Sequence, residues 1–179
     1  EFIINKTPHI YVNNKEKYHG PAFEVVLYSL QSLFKKTTNP ENYYFRHLIS
    51  YILYWLGGLS LFLLLRKIYT SYFIISIGSL WYFLMPRFFA ESFFNSKDIA
   101  FYVFTIFSLH SLYNLIKEPG YKNAFIHALV CGFAIGIRIT GILIPLISLT
   151  ILSLMFLSNI IERKSYKKIV LTTLQFLPL

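Results

Sequence analysis

An all-α fold, a polytopic transmembrane helical bundle with one amphipathic interfacial helix, is what this sequence predicts, and three observations carry the prediction. Hydrophobic residues make up 55% of the 179 and charged residues only 14%. The uncharged runs are long: residues 48–65, 68–86, 99–116, 123–137 and 139–161. Roughly 20 helical residues cross a hydrocarbon core of about 30 Å, so five spans are expected. The third observation is where the basic residues fall. Eight of them sit at Arg66/Lys67, Lys117/Lys122 and Arg163/Lys164/Lys167/Lys168, on one side of a membrane if the five spans alternate. Only Arg87, Lys97 and Arg138 fall between spans on the other side.

The formal charge of +9 therefore follows topology, and nucleic acid is not among the expected partners. The positive-inside rule places the larger basic group in the cytoplasm. The reading is a multi-pass protein of the plasma (inner) membrane whose working face is external or periplasmic. Six further basic residues lie in the first 46, in a segment long enough to carry structure of its own.

Residues 1–18 are polar and aperiodic, as suits an extramembrane loop. Gly20-Pro21 then opens a helix in which Phe23, Val26, Leu27, Leu30, Leu33 and Phe34 recur at helical spacing, with Glu24, Gln31 and Lys35 on the other side. It is too short to span easily and suits the outer interface. Asn39-Pro40-Glu41 reads as the next helix start, with Asn as cap, Pro at the first helical position and an acid in the first turn. Gly57-Gly58, in the middle of the first span, permits close helix contact. Tyr43/Tyr44 and Trp81/Tyr82 read as aromatic belts at span ends. Arg138 interrupts what would otherwise be one apolar run from 123 to 161, so the chain is expected to break near Gly136–Gly141. The sequence begins at Glu1 and ends within the apolar LTTLQFLPL. It is read as a fragment of one transmembrane domain: residues 1–39 an outer loop with the interfacial helix, residues 40–179 about five spans plus the start of a sixth near Ile169. Cys131 is the lone cysteine, which excludes an internal disulfide.

Asp98 is the only aspartate and ends PRFFAESFFNSKD, read as a short loop between two spans. A carboxylate at a membrane boundary is costly and marks the leading site candidate. Glu91, Asn95 and Lys97 lie close by in sequence and join it as binding candidates. Each has a structural reading too. Asp98 can be the N-cap of the helix starting at Ile99, a role Asn95 or Ser96 could fill equally well. Lys97 can anchor at the interface, and Glu91 can pair with Arg87 four residues before it if that stretch is helical. Arg138 either snorkels to headgroups or lines a polar cavity. Glu24 decorates a polar helix face, and His110 and His127 are packed within spans or make interhelical hydrogen bonds. No His/Cys/Asp cluster has zinc-site spacing, and no Walker or dinucleotide glycine motif is present.

YHGPAFE (residues 18–24), FRHLISYILYWLGGL (45–59), PRFFAESFFNSKDIAF (86–101) and GFAIGIRITGIL (132–143), in this order and spacing, resemble segments of the multi-spanning C-type glycosyltransferases. More narrowly they are similar to relatives of protein O-mannosyltransferases and aminoarabinose transferases. The resemblance covers residues 18 to about 161. It implies a polyprenyl-phosphate-linked sugar as donor and a protein, glycan or lipid acceptor on the outer or luminal face. It implies that Asp98 belongs to the catalytic centre. It places His19 at the basic position of a [His/Lys]-Pro-Pro element, although Gly20 stands where the first proline would be. The acidic pair of the family's first outer loop has no counterpart here and is expected upstream of Glu1.

The chemistry agrees independently. A phosphate leaves without help from a general acid, so one carboxylate base can suffice to activate the acceptor hydroxyl. Developing negative charge would be met by Arg138, Lys97, His19 or a divalent metal, Mg or Mn, with Asp98 as the candidate ligand. Direct attack inverts the anomeric centre. The competing expectations are a transporter or lipid flippase, and a non-catalytic membrane subunit.

Overall fold

The computed structural model describes residues 20–34 and 39–158. His19, the start of the predicted sixth span and the basic residues from Arg163 to Lys168 lie outside them. Among the described residues the structure is helical throughout, without a strand. In chain order come α1 (Ala22–Leu33), α2 (Asn39–Ile68), α3 (Tyr72–Leu84), α4 (Pro86–Phe94), α5 (Ser96–Lys117) and α6 (Tyr121–Ile137). The last, α7 (Ile139–Ser158), opens with a 3-10 turn at Ile139–Ile142. Contacts divide the chain into two compact units with the boundary between Ile144 and Pro145. The second unit contributes the remainder of α7. Pro145 falls in its first turns, where a missing N–H is tolerated.

α5 is the central element, packed between α2 and α6. Lys67, near the C-terminus of α2, bonds to Asn114 near the C-terminus of α5, so those two helices run parallel. Asp98, at the start of α5, meets Arg138, just past the end of α6, so these two run antiparallel. Two apolar clusters hold the unit together. One joins Tyr54, Tyr82, Ile99, Val103 and Ile106; the other joins Phe23 and Leu27 of α1 to Ala100 and Ile137. Gly57 and Gly58 make the first possible. A Cβ on Gly57 would lie 2.6 Å from the Tyr82 hydroxyl, and one on Gly58 would lie 2.2 Å from the Phe83 ring.

Several expectations are corrected. Among the described residues, three helices are long and apolar enough to cross a membrane: Glu41–Ile68 within α2, α5 and α7. The expected second span is instead a bent pair, α3 and α4, with 52° between them, and counts as a fourth only if the two form one span. The cause is Pro86. Its ring pushes Met85 into an extended conformation (φ −65, ψ 106), and it has no N–H for the carbonyl four residues back. The expected fourth span, α6, has 17 residues, about 26 Å at 1.5 Å per residue, at the short end of the range that crosses an apolar core. The stretch read as a loop after Pro86 is helix α4, because proline suits a first helical position and Arg87 pairs with Glu91 at i,i+4.

Tyr82 is also not a belt residue. It is 1% exposed, whereas Trp81 beside it is 66% exposed. The Tyr82 carbonyl is the one Pro86 leaves without its helical donor, and the Tyr54 hydroxyl donates to it at 2.9 Å. Tyr82 returns the contact, donating to the Tyr54 carbonyl at 2.8 Å, with the rings stacked 4.8 Å apart. Away from water a freed carbonyl must find another donor, and this pair supplies one. Tyr54→Phe is therefore expected to cost about 1–3 kcal/mol, the cost of an unsatisfied buried polar group. Thermal or denaturant unfolding would measure it, and an unchanged midpoint would show that the carbonyl finds another donor.

α1 forms as its periodicity predicts, with Phe23 and Leu27 buried, but Leu33 and Phe34 are 74% and 58% exposed. Glu24 does not simply decorate the polar face: it forms an ion pair with Arg46 of α2. The two histidines bridge helices as expected. His110 Nδ1 lies 3.0 Å from Ser60 Oγ, and His127 Nδ1 lies 2.9 Å from Ser111 Oγ. Ser111 spends its hydroxyl hydrogen on the Ser108 carbonyl, so His127 Nδ1 is the donor in that pair. Cys131 is buried against the same imidazole.

Candidate active site

The site grows from the junction of α4 and α5. Asn95 leaves helical geometry (φ −111, ψ 83), and its side chain accepts the Asp98 N–H at 3.2 Å. Asn95 is thus the N-cap, and Asp98 occupies the first turn, where the amide dipoles favour a carboxylate. The capping role considered for Asp98 belongs to Asn95.

With its backbone held this way, Asp98 directs Oδ1 to a guanidinium N–H of Arg138 in an ion pair. Arg138 sits where α6 ends, in extended backbone (φ −143, ψ 138), so its side chain can turn back across the N-terminus of α5. Its guanidinium carbon lies 5.8 Å from the centroid of the Phe101 ring, within cation–π range. Asp98 and Arg138 are 25% and 30% exposed at the side chain, so the pair is shielded from water but open on one side. Arg138 Nε is buried without a hydrogen-bond partner, and Asp98 Oδ2 has none among the described residues.

Both groups line an open pocket of about 410 Å³. Arg87 and Glu91, hydrogen-bonded to each other at 3.1 Å, line it as a second charged pair. The rings of Phe88, Phe101 and Tyr102 line it as well. Phe88 and Tyr102 stack at 4.0 Å and 2°, and Tyr102 stacks in turn on Tyr82 at 5.3 Å. The aromatic wall is therefore continuous with the Tyr54–Tyr82 pair in the core, which fixes its position.

Of the residues singled out from sequence, the fold brings Asp98, Arg138 and Glu91 to one pocket. Lys97 is half-buried and makes no ion pair among the described residues. Asn95 is engaged in capping, and His19 lies outside the described residues. Phe101, Tyr102 and Thr105 were missed, as was Phe88 on α4. Counting from Asp98, the α5 residues recur at i, i+3, i+4 and i+7, one helical face, a signal present in the sequence.

A resident metal does not suit this donor set. Among the described residues no group of three or more His, Cys, Asp or Glu is placed to hold one. Both carboxylates of the pocket are engaged by guanidinium groups, Asp98 by Arg138 and Glu91 by Arg87, whose charges oppose a further cation.

The arrangement can accept a proton at Asp98 Oδ2 and offer Arg138 to an anion, beside a flat apolar wall. The four sequence segments that carry the family resemblance meet at this end. Glu24 of the first pairs with Arg46 of the second, and Asp98 of the third pairs with Arg138 of the fourth. Gly20 of the first donates its N–H to the Ile137 carbonyl of the fourth at 2.8 Å. Comparison with protein-family models, curated proteins and solved structures finds no match for this chain.

Proposed function

We propose that this chain is part of an integral-membrane glycosyltransferase, which moves a sugar from a polyprenyl-phosphate donor to a hydroxyl of a protein, glycan or lipid acceptor. The observation that carries the reading is the Asp98–Arg138 pair beside an aromatic wall, at the convergence of all four resembling segments. Membrane placement is supported by three long apolar helices and by outward-facing side chains such as Phe73 (74% exposed), Trp81 (66%) and Leu84 (64%).

In this reading Asp98 Oδ2 takes the proton of the acceptor hydroxyl as its oxygen attacks the anomeric carbon. The bond from that carbon to the phosphate oxygen breaks, and its electron pair stays on the phosphate. Arg138 stabilises that charge where it develops, an electrostatic contribution to the transition state. A single displacement inverts the anomeric carbon. The aromatic faces suit the apolar side of a sugar ring or the first units of the prenyl chain.

The bend between α3 and α4 is the one feature that favours a transporter or flippase, since broken helices line solute paths. A panel of labelled polyprenyl-phosphate sugars separates the two. Transfer of label to an acceptor supports the transferase; movement of intact donor across a vesicle membrane without transfer overturns it.

Sidedness is checked separately. In a Cys131→Ala background, single cysteines at Ala90 and Thr140, both exposed, are expected to react with an impermeant maleimide on intact cells. Labelling only after permeabilisation would reverse the orientation.

A further inference from the structure

At the end of the unit opposite Asp98, the C-termini of α2 and α5 and the α5–α6 turn enclose a second open pocket, of about 400 Å³. Its wall carries two ammonium groups, Lys67 and Lys117, against one carboxylate, Glu118. None of the three forms an ion pair among the described residues. Lys67 is held at both its main chain and its side chain. Its carbonyl accepts the Tyr113 hydroxyl at 2.8 Å, and its Nζ donates to Asn114 Oδ1 at 2.7 Å and to His110 Nε2 at 3.2 Å. His110 Nε2 accepts there, so its Nδ1 carries the hydrogen and donates to Ser60 Oγ, which anchors the network inside the helix pair. Two of the three ammonium hydrogens of Lys67 are used and one remains. Lys117 Nζ, also in the lining, lies 5.8 Å from the Tyr113 ring centroid. The Asn114 amide donates to no described partner, because only its oxygen is engaged. The turn itself is fixed by Asn123 Nδ2 donating to the Glu118 carbonyl at 2.7 Å.

Donors therefore converge on a pocket whose one carboxylate, Glu118, pairs with neither lysine. We propose that this Lys67–Asn114–Lys117 pocket binds a phosphate group, supplied at the membrane boundary by an anionic phospholipid. A lysine ammonium is a point charge suited to phosphate, and juxtamembrane lysines favour anionic lipid. Exposed apolar side chains beside the pocket, Ile68 (49%), Tyr121 (98%) and Phe125 (69%), offer the acyl chains a surface. The proposal rests on the membrane reading and is independent of the transferase reading.

The full chain, purified in mild detergent and stripped of lipid, would be titrated with phosphatidylglycerol, with diacylglycerol of the same chains, and with inorganic phosphate, bound species being counted by native mass spectrometry. One phosphatidylglycerol is expected to be retained and diacylglycerol not. Lys67→Gln and Lys117→Gln are each expected to weaken retention about fivefold, the effect of removing one basic residue near an anionic surface. Gln at 67 can still donate to Asn114, which keeps the network. Arg66→Gln, next in sequence but outside the pocket, is expected to have no such effect. Lysine-dependent binding of inorganic phosphate without phosphatidylglycerol would keep the phosphate site but overturn the lipid source. Equal weakening by all three variants, or diacylglycerol binding as tightly as phosphatidylglycerol, would overturn the site itself. A chain that stays soluble without detergent would instead refute the membrane reading.

Discussion

Asp98→Asn is expected to lower transferase turnover by about two orders of magnitude or more, the range for losing a general base, in a protein that still folds. The variant keeps the shape of the side chain and an amide oxygen able to accept from Arg138. The helix start is untouched, because the cap is Asn95. What disappears is the proton acceptor at Oδ2 and the negative charge opposite Arg138. Stability should fall modestly, since the pair is a quarter to a third exposed and water can reach the freed guanidinium. Turnover against a polyprenyl-phosphate sugar and the unfolding midpoint, measured on one preparation, separate the two effects. A stable variant with full turnover would return Asp98 to a purely structural role.

Arg138→Ala should be nearly as severe, about a hundredfold in kcat/KM for the donor, as for removal of one preorganised group from a developing charge. Arg138→Lys should recover part of this as a point charge without the fork. The alanine variant also strands Asp98 without a partner, so some of its loss is structural. Asp98→Asn combined with Arg138→Gln restores a neutral hydrogen-bonded pair, and it is expected to regain the midpoint but not the activity. Recovery of both would show that the pair only holds α5 to the end of α6. Unchanged donor kinetics in Arg138→Ala would favour the snorkelling role, with the side chain reaching to the headgroups.

What was legible in the sequence was what depends on local pattern. Runs of uncharged residues located α2, α5 and α7; the 3.6-residue period located α1; and the interruption at Arg138 located the end of α6. Charge placement also grouped the ends correctly within the first unit, since Lys67 and Lys117 meet at one pocket while Arg87 and Arg138 meet at another. The misreadings arose where one residue overrides composition. Pro86 opens helix α4 in a stretch read as a loop, and Tyr82 changes from belt to core because that same proline frees its carbonyl. The Glu24–Arg46 and Asp98–Arg138 pairings are long-range, and nothing in the spacing of either partner announces the other. The aromatic pocket wall was hidden by abundance: among so many phenylalanines and tyrosines, only the face shared with Asp98 distinguishes Phe101 and Tyr102.

The contact of Gly20 with the end of α6 sets the order in which the chain can finish folding. A Cβ on Gly20 would lie 1.9 Å from the Gly136 carbonyl oxygen, so the backbones meet with nothing between them. The partners are more than a hundred residues apart, and at ordinary rates of synthesis the second emerges on the order of ten seconds after the first. For that interval α1 has left the ribosome without the surface that Ile137 provides for Phe23 and Leu27. Its docking is thus completed late, by a long-loop closure in which the end of α6 joins the earlier contacts of α1 with α2 and α5. A nascent chain stalled before Tyr121 should leave α1 open to protease, and release through Arg138 should protect it.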